Sequence, residues 1–206
     1  NAALNALLPS QTSASRKFLK SNGTDASFQF VSPLFSWMAG RWYSIQQMYP
    51  IGFGDTWTLT ANTIYTCPLY VPPGSGAVDR IGVAVQTGAG SASRLMYFEQ
   101  LANGHPGALL FDFGTINLGT SGDKELTVSQ TLPEGPGFLA LIPDNSSLVV
   151  YCFGAYGSGM HGNPSQAGNA CSIYRANGST TAPNPFGTTS LNYNGERYPR
   201  LAVRAA

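Results

Sequence analysis

Residues 78–86 read VDRIGVAVQ, and their alternation decides the fold class. Ile81, Val83 and Val85 fall on one side of an extended chain, and Arg80, Gly82, Ala84 and Gln86 fall on the other. This period of two is what a strand with one buried face requires. The pattern recurs on the C-terminal side. In KELTVSQTL (124–132) Leu126 and Val128 oppose Glu125, Thr127 and Ser129, and near the end Leu201 and Val203 oppose Arg200, Ala202 and Arg204. TIYTCPLYV (63–71), SRLMYFEQ (93–100), ALLFDFG (108–114), GFLALIP (137–143) and SLVVYCF (147–153) supply further strands. Turn clusters such as Pro72-Pro73-Gly74-Ser75-Gly76, Asn103-Gly104-His105-Pro106-Gly107 and Pro133-Glu134-Gly135-Pro136-Gly137 separate them. About eight or nine short strands with no helical pattern beyond residue 9 predict an all-β chain, an antiparallel β-sandwich of jelly-roll type. Residues 139–142 and 148–153 are apolar on both faces. They predict central strands whose second side is covered by loops or by another subunit.

Ahead of the sandwich, NAALNALLP (1–9) carries Leu4, Leu7 and Leu8 at helical spacing, closed by Pro9. So short a helix needs neighbours to be stable. Two apolar stretches, Phe18-Leu19 and Phe28 to Val31, flank Ser21-Asn22-Gly23-Thr24, and Asn-Gly predicts a tight hairpin turn. A lone hairpin is marginal in water and implies packing against something else. The chain therefore divides into an N-terminal linker and hairpin segment, 1–41, and a sandwich, 42–206. It begins at Asn1 without an initiator methionine or signal peptide, and reads as a processed product or the C-terminal part of something longer.

Residues 154–197 differ in kind. They are dominated by Gly, Asn, Ser, Thr and Pro, yet include Tyr156, Met160, His161, Tyr174, Phe186 and Tyr193. Small polar residues give adaptable hydrogen bonds and aromatics give rigid contact area, the composition of a recognition loop. The same composition suits a long loop that packs on a neighbouring subunit with its aromatics as anchors.

Only 10% of the residues are charged, where about 25% is usual. The sparse charge is uneven: residues 1–41 and 151–206 are net positive, and 42–150 are acidic. No basic stripe marks a nucleic-acid binder and no apolar run reaches the length of a membrane span. Three cysteines, Cys67, Cys152 and Cys171, are too widely spaced for a zinc site. Cys152 and Cys171 bracket a loop and could pair in an oxidising environment, or remain buried thiols. No serine has glycine at both −2 and +2, and no phosphate loop or calcium loop occurs. His105 and His161 sit in Gly/Pro-rich loops without a second metal ligand at the right spacing. The acids read as turn and strand-end residues; Asp55, beside Trp57 in GFGDTW, reads as a turn residue that could also bond a sugar stacked on the indole. No catalytic residue, metal site or cofactor is indicated, and a recognition or building module is expected rather than an enzyme.

Two stretches carry a family resemblance. LPSQTSASRKFLKSNGTDASFQFV (8–31) resembles a linker of the form LPSQ…GKFLkTdGTnasW found in fibre and appendage proteins of tailed bacteriophages, with Arg16 in place of glycine and Phe28 in place of tryptophan. ANTIYTCPLYVPPGSGAVDRIGVAVQ (61–86), SRLMYFEQ, Gly104-His105-Pro106-Gly107, KELTVSQTL and Phe138-Leu139-Ala140 resemble successive elements of a β-sandwich module of phage tail-fibre and virion proteins. The resemblance implies a virion structural protein assembled in the host cytoplasm and partnered by other virion proteins. It also implies a bacterial surface glycan or protein as receptor, contacted by the loop of 154–197. The receptor-facing residues expected are Tyr156, His161, Tyr174, Phe186, Tyr193 and Trp57. Low charge and crowded aromatics suit a chain that packs on copies of itself, so a homotrimer is expected, with Leu4, Leu7, Leu8, Phe18, Phe28, Phe30, Phe35 and Trp37 at its interface. The alternatives are a capsid or baseplate decoration protein without receptor role, a carbohydrate-binding module built on Trp57 and the loop tyrosines, and a glycan-degrading enzyme.

Overall fold

The computed structural model describes residues 17–21, 26–30, 36–44, 52–154, 172–187, 191–194 and 197–206. Among them every regular element is a strand and every pairing is antiparallel. The helix expected over residues 1–9 lies outside the described residues. The chain forms two compact units, Asn1–Ser36 and Trp37–Ala206.

The first unit holds the expected hairpin, strands β1 (Lys17–Ser21) and β2 (Ala26–Phe30), with Phe18 opposite Gln29 and Leu19 opposite Phe28. The second unit is a β-sandwich of two sheets. In the six-stranded sheet, β5 (Thr63–Val71) and β7 (Ser93–Gln100) flank β10 (Gly135–Ile142). β8 (Pro106–Ile116) extends it past β7, and β12 (Ser172–Ala176) and β13 (Asn192–Asn194) extend it past β5. The other sheet is built around β6 (Ala77–Thr87), which contains the VDRIGVAVQ stretch. One edge of β6 pairs with β9 (Gly122–Thr131). Its other edge is shared: β15 (Leu201–Ala205) takes residues 78–83 and β11 (Val149–Gly154) takes Val85 and Thr87. β11 also pairs with β4 (Gly52–Thr58) and β14 (Arg197–Pro199), and β3 (Trp42–Tyr43) pairs with β15.

The alternation read from sequence sets which side chains meet between the sheets. Ile81, Val83 and Val85 of β6, Leu201 and Val203 of β15, and Val150 and Cys152 of β11 face Tyr65, Cys67, Leu69 and Val71 of β5, Leu95 and Tyr97 of β7, and Leu139 and Leu141 of β10. All are nearly inaccessible to water. Packing is close enough that a Cβ on Gly137 would collide with the Tyr97 hydroxyl group, so that strand position is closed to any larger residue. Trp37 and Tyr43 stack at 5.1 Å on the edge of this core, and the Trp37 N–H donates to Ser75 Oγ at 3.1 Å. Residues 37–41 thus belong to the sandwich, although the sequence reading placed them in the N-terminal segment.

The doubly apolar run 139–142 is central, as expected. Its second face forms another core, in which Phe138, Ala140 and Ile142 join Ile64, Met96, Phe98 and Ile173 beneath Phe186. The cover comes from the chain itself. Residues 177–187 are pinned there by the Phe186 N–H to the Gly107 carbonyl (2.9 Å), the Leu109 N–H to Asn184 Oδ1 (3.2 Å) and the Asn177 N–H to the Asn62 carbonyl (2.7 Å). Because Phe186 is fully buried, Phe186→Ala should lower unfolding stability by about 3–5 kcal/mol in denaturant titrations, whereas Leu110→Ala at a half-exposed site should stay within about 0.5 kcal/mol.

Candidate functional site

The two ends of the long Gly/Asn/Ser-rich insertion meet at one rung. Gly154 at the end of β11 is the direct cross-strand partner of Arg197 at the start of β14. Within the insertion, β12 adds to the edge of β5 and β13 adds to β12. Recognition loops are commonly held this way, on a rigid scaffold that fixes where they start and finish.

The structure distributes the expected receptor-facing residues unevenly. Trp57 and Tyr174 come together: Tyr174 stacks on Tyr65 at 5.6 Å, and Trp57 stands edge-on to both at 5.7 and 4.8 Å. Tyr65 belongs to the inner core, and Trp57 and Tyr174 are partly buried against it. Phe186 is buried in the outer core with the Arg175 guanidinium 5.3 Å above its ring. It is an anchor of the loop and has no surface to present. Burial holds the Arg175 pKa below the usual guanidinium range. Tyr193 lies on β13 opposite Ile173, its side chain being outside the described set. Tyr156 and His161 lie outside the described residues, as do Leu4, Leu7, Leu8 and Phe35 of the expected oligomer interface. Of that interface, Phe18, Phe28 and Phe30 are on the hairpin strands, and Trp37 is 9% exposed in the sandwich core.

Most carboxylates are committed to holding the sheets together. Arg197 Nε donates to Asp55 Oδ2 at 2.7 Å across β11, and GFGDTW is a strand where the sequence suggested a turn. Arg204 reaches both oxygens of Asp79 (2.7 and 2.8 Å), and Arg94 grips Asp112 in a fork (2.7–3.1 Å). The Arg94 hydrogen bonds keep the Asp112 carboxyl below the usual carboxylate range against the opposing effect of burial. Asp144 fastens a separate loop, accepting from the Ser91 and Ala92 amides (2.9 and 2.8 Å) and from the Ser93 hydroxyl (2.8 Å). Burial pushes its pKa up, but these donors outweigh it and the net shift is downward. Glu99 accepts from the Ala108 amide and Glu134 from the Gly74 amide.

A different arrangement occupies the face of the β6 sheet turned away from the core. Gly82 and Ala84 of β6 and Ala202 of β15 form the floor of a cleft of about 180 Å³. Trp42 stands on one side, Asp123 and Glu125 of β9 on another, and Arg200 is also in the lining. Register explains the cluster: Gly82 lies between Glu125 and Ala202, and Ala84 is opposite Asp123. A Cβ on Gly82 would sit 3.0 Å from the Trp42 ring, so the missing side chain is what lets the indole lie here. Sequence reading passed over these residues. The available signal was a glycine at an outward position of an otherwise regular strand.

Among the described residues no group of His, Cys, Asp or Glu could hold a metal ion, and no helix is long and apolar enough to cross a membrane. Compared with known proteins, the chain matches no family model and no curated protein.

Two solution properties follow from these geometries. Asp112 and Asp144 have lowered folded pKa values, so their contribution is complete above the unfolded value of about 3.9 and is lost as pH falls through the folded values. Denaturant midpoints should therefore decline on acidification below about pH 4, and Asp144→Asn should make that decline shallower. Cys152 is a free thiol whose pKa is pushed up to about 12, chiefly by burial and further by the Asp55 carboxylate, with Arg197 opposing; Cys67 is also buried, and Cys171 lies outside the described residues. Iodoacetamide at about pH 8 should leave Cys67 and Cys152 unmodified in the native chain and alkylate both in denaturant, as read by peptide mass spectrometry.

Proposed function

We propose that this chain is a non-enzymatic structural protein of a tailed-phage particle, a fibre or spike segment that trimerises and contacts a bacterial surface receptor through its insertion. The virion assignment is supported by the two sequence resemblances, around residues 8–31 and 61–142, the second of which covers much of the sandwich. The recognition role is supported by one observation above all: residues 155–171, rich in Gly, Asn and Ser with Tyr156 and His161 among them, connect β11 to β12, two strands of the rigid sandwich. Trimerisation is supported by the separate hairpin unit, since two strands alone bury too little surface to be stable in water.

A second reading, a capsid or baseplate decoration protein with no receptor, is favoured by the fact that β12, β13 and Phe186 are built into the sandwich. The same fact dictates the test. Replacement must spare residues 172–187, so residues 155–171 are exchanged for a Gly/Ser linker in the full chain. Sedimentation velocity should give a trimer for both forms. Labelled parent protein should adsorb to a subset of a panel of Gram-negative and Gram-positive cells, and the replaced form should lose adsorption while keeping its unfolding midpoint. Undiminished adsorption would remove the insertion from recognition, and a monomer at high concentration would remove the fibre geometry.

A further inference from the structure

We propose that the cleft over Gly82 is a binding site for one neutral sugar ring, a hexose unit of a glycan. This inference is independent of the insertion and of the virion reading. Three observations carry it.

The first is shape. Gly82, Ala84 and Ala202 give a shallow floor on the outer face of the sheet, walled by the Trp42 indole. A volume of about 180 Å³ lies below the roughly 300–1,000 Å³ of clefts that enclose drug-sized molecules, and suits a single ring. An indole offers flat, rigid area on which the C–H face of a pyranose packs, and its hydrophobic contact leaves the hydroxyl groups at the ring edge free.

The second is the placement of polar groups. Asp123 and Arg200 both line the cleft, and neither side chain makes a hydrogen bond or ion pair among the described residues. Glu125, also in the lining, approaches Arg80 only at 3.9 Å and is half-exposed. This contrasts with the committed state of Asp55, Asp79, Asp112 and Asp144. Carboxylates accept from hydroxyl groups and a guanidinium donates to hydroxyl and ring oxygens, so both kinds of polar atom on a sugar find a complementary group in the lining. Asp123 and Glu125 beside Arg200 and Lys124 leave the cleft without a dominant sign of charge, which suits a ligand that is polar and uncharged.

The third is Gly82 itself. Glycine within a strand weakens it, and this one has no left-handed backbone conformation to justify it. A side chain there would fill the floor and push against Trp42. The space glycine leaves is what lets the Trp42 indole lie against the strand, and so it places the aromatic wall of the cleft.

The test uses the full chain with glucose, galactose, mannose and N-acetylglucosamine as neutral probes, and glucuronic acid and glucosamine as charged ones. Protein-observed NMR follows the tryptophan indole N–H signals, and saturation-transfer experiments report the bound face of the sugar. At least one neutral hexose should shift the Trp42 signal, saturably, at millimolar concentration. Asp123→Asn, an exposed change that leaves the fold intact, should weaken binding about tenfold, and Arg200→Gln likewise. Trp42→Ala should abolish it, with the spectrum checked for native dispersion. Exchanging residues 155–171 should leave hexose binding unchanged, which separates this site from the insertion. No Trp42 shift with any neutral hexose, stronger binding of either charged probe, or binding unaffected by both Asp123→Asn and Arg200→Gln would overturn the proposal.

Discussion

Strand β10 is apolar on both faces, and the need to cover the second face shapes much of the sandwich. Leu139 and Leu141 point between the sheets while Phe138, Ala140 and Ile142 point outward, and a sheet with both sides apolar cannot leave one in water. Phe186 meets that need. Its burial explains why residues 177–187 follow a fixed path and why Arg175 lies over the ring. It also explains why β12 continues the sheet beyond β5, carrying Ile173 into the same cluster. Part of what reads as a recognition loop is therefore the missing layer of the fold, and the aromatic residues of that part face inward.

The shortage of charge takes on a structural meaning in the same way. The acidic middle of the chain is partly neutralised by arginines on other strands, two of them from the basic C-terminal region: Arg197 with Asp55 and Arg204 with Asp79 tie β14 and β15 to earlier strands. Exposed pairs of this kind contribute little stability individually. What they do is fix which strands lie side by side, since a slipped register would leave each partner facing a neutral neighbour. Against this background the uncommitted Asp123 and Arg200 stand out, and both lie in the cleft under Trp42.

The sequence and the structure agree most where the pattern is periodic. The strands around Ile81, Leu126, Tyr97 and Leu201, the pairing of residues 17–21 with 26–30, and the central place of residues 139–142 were all legible, because alternation and apolar runs are local properties. The residues bearing on the candidate sites were less so. Trp42 was passed over, because its contact with Gly82 depends on β3 pairing with β15 and β15 with β6, strands far apart in the chain. Asp55 looked like a turn residue because Gly52 and Gly54 precede it, yet pairing with β11 extends that segment into a strand.

By itself, then, the sequence determined that this chain is all-β, which faces of its strands are buried, and where its hairpin and its long polar insertion fall. These follow from side-chain period and from the conformational preferences of Gly, Pro and Asn, which act over a few residues. Only the tertiary structure decided what covers the outer face of β10, that Phe186 is an anchor, and that a glycine, an indole and two uncommitted charges share one cleft. Those outcomes depend on strand order and register, and both are set by burial and hydrogen bonding between segments that no local pattern connects.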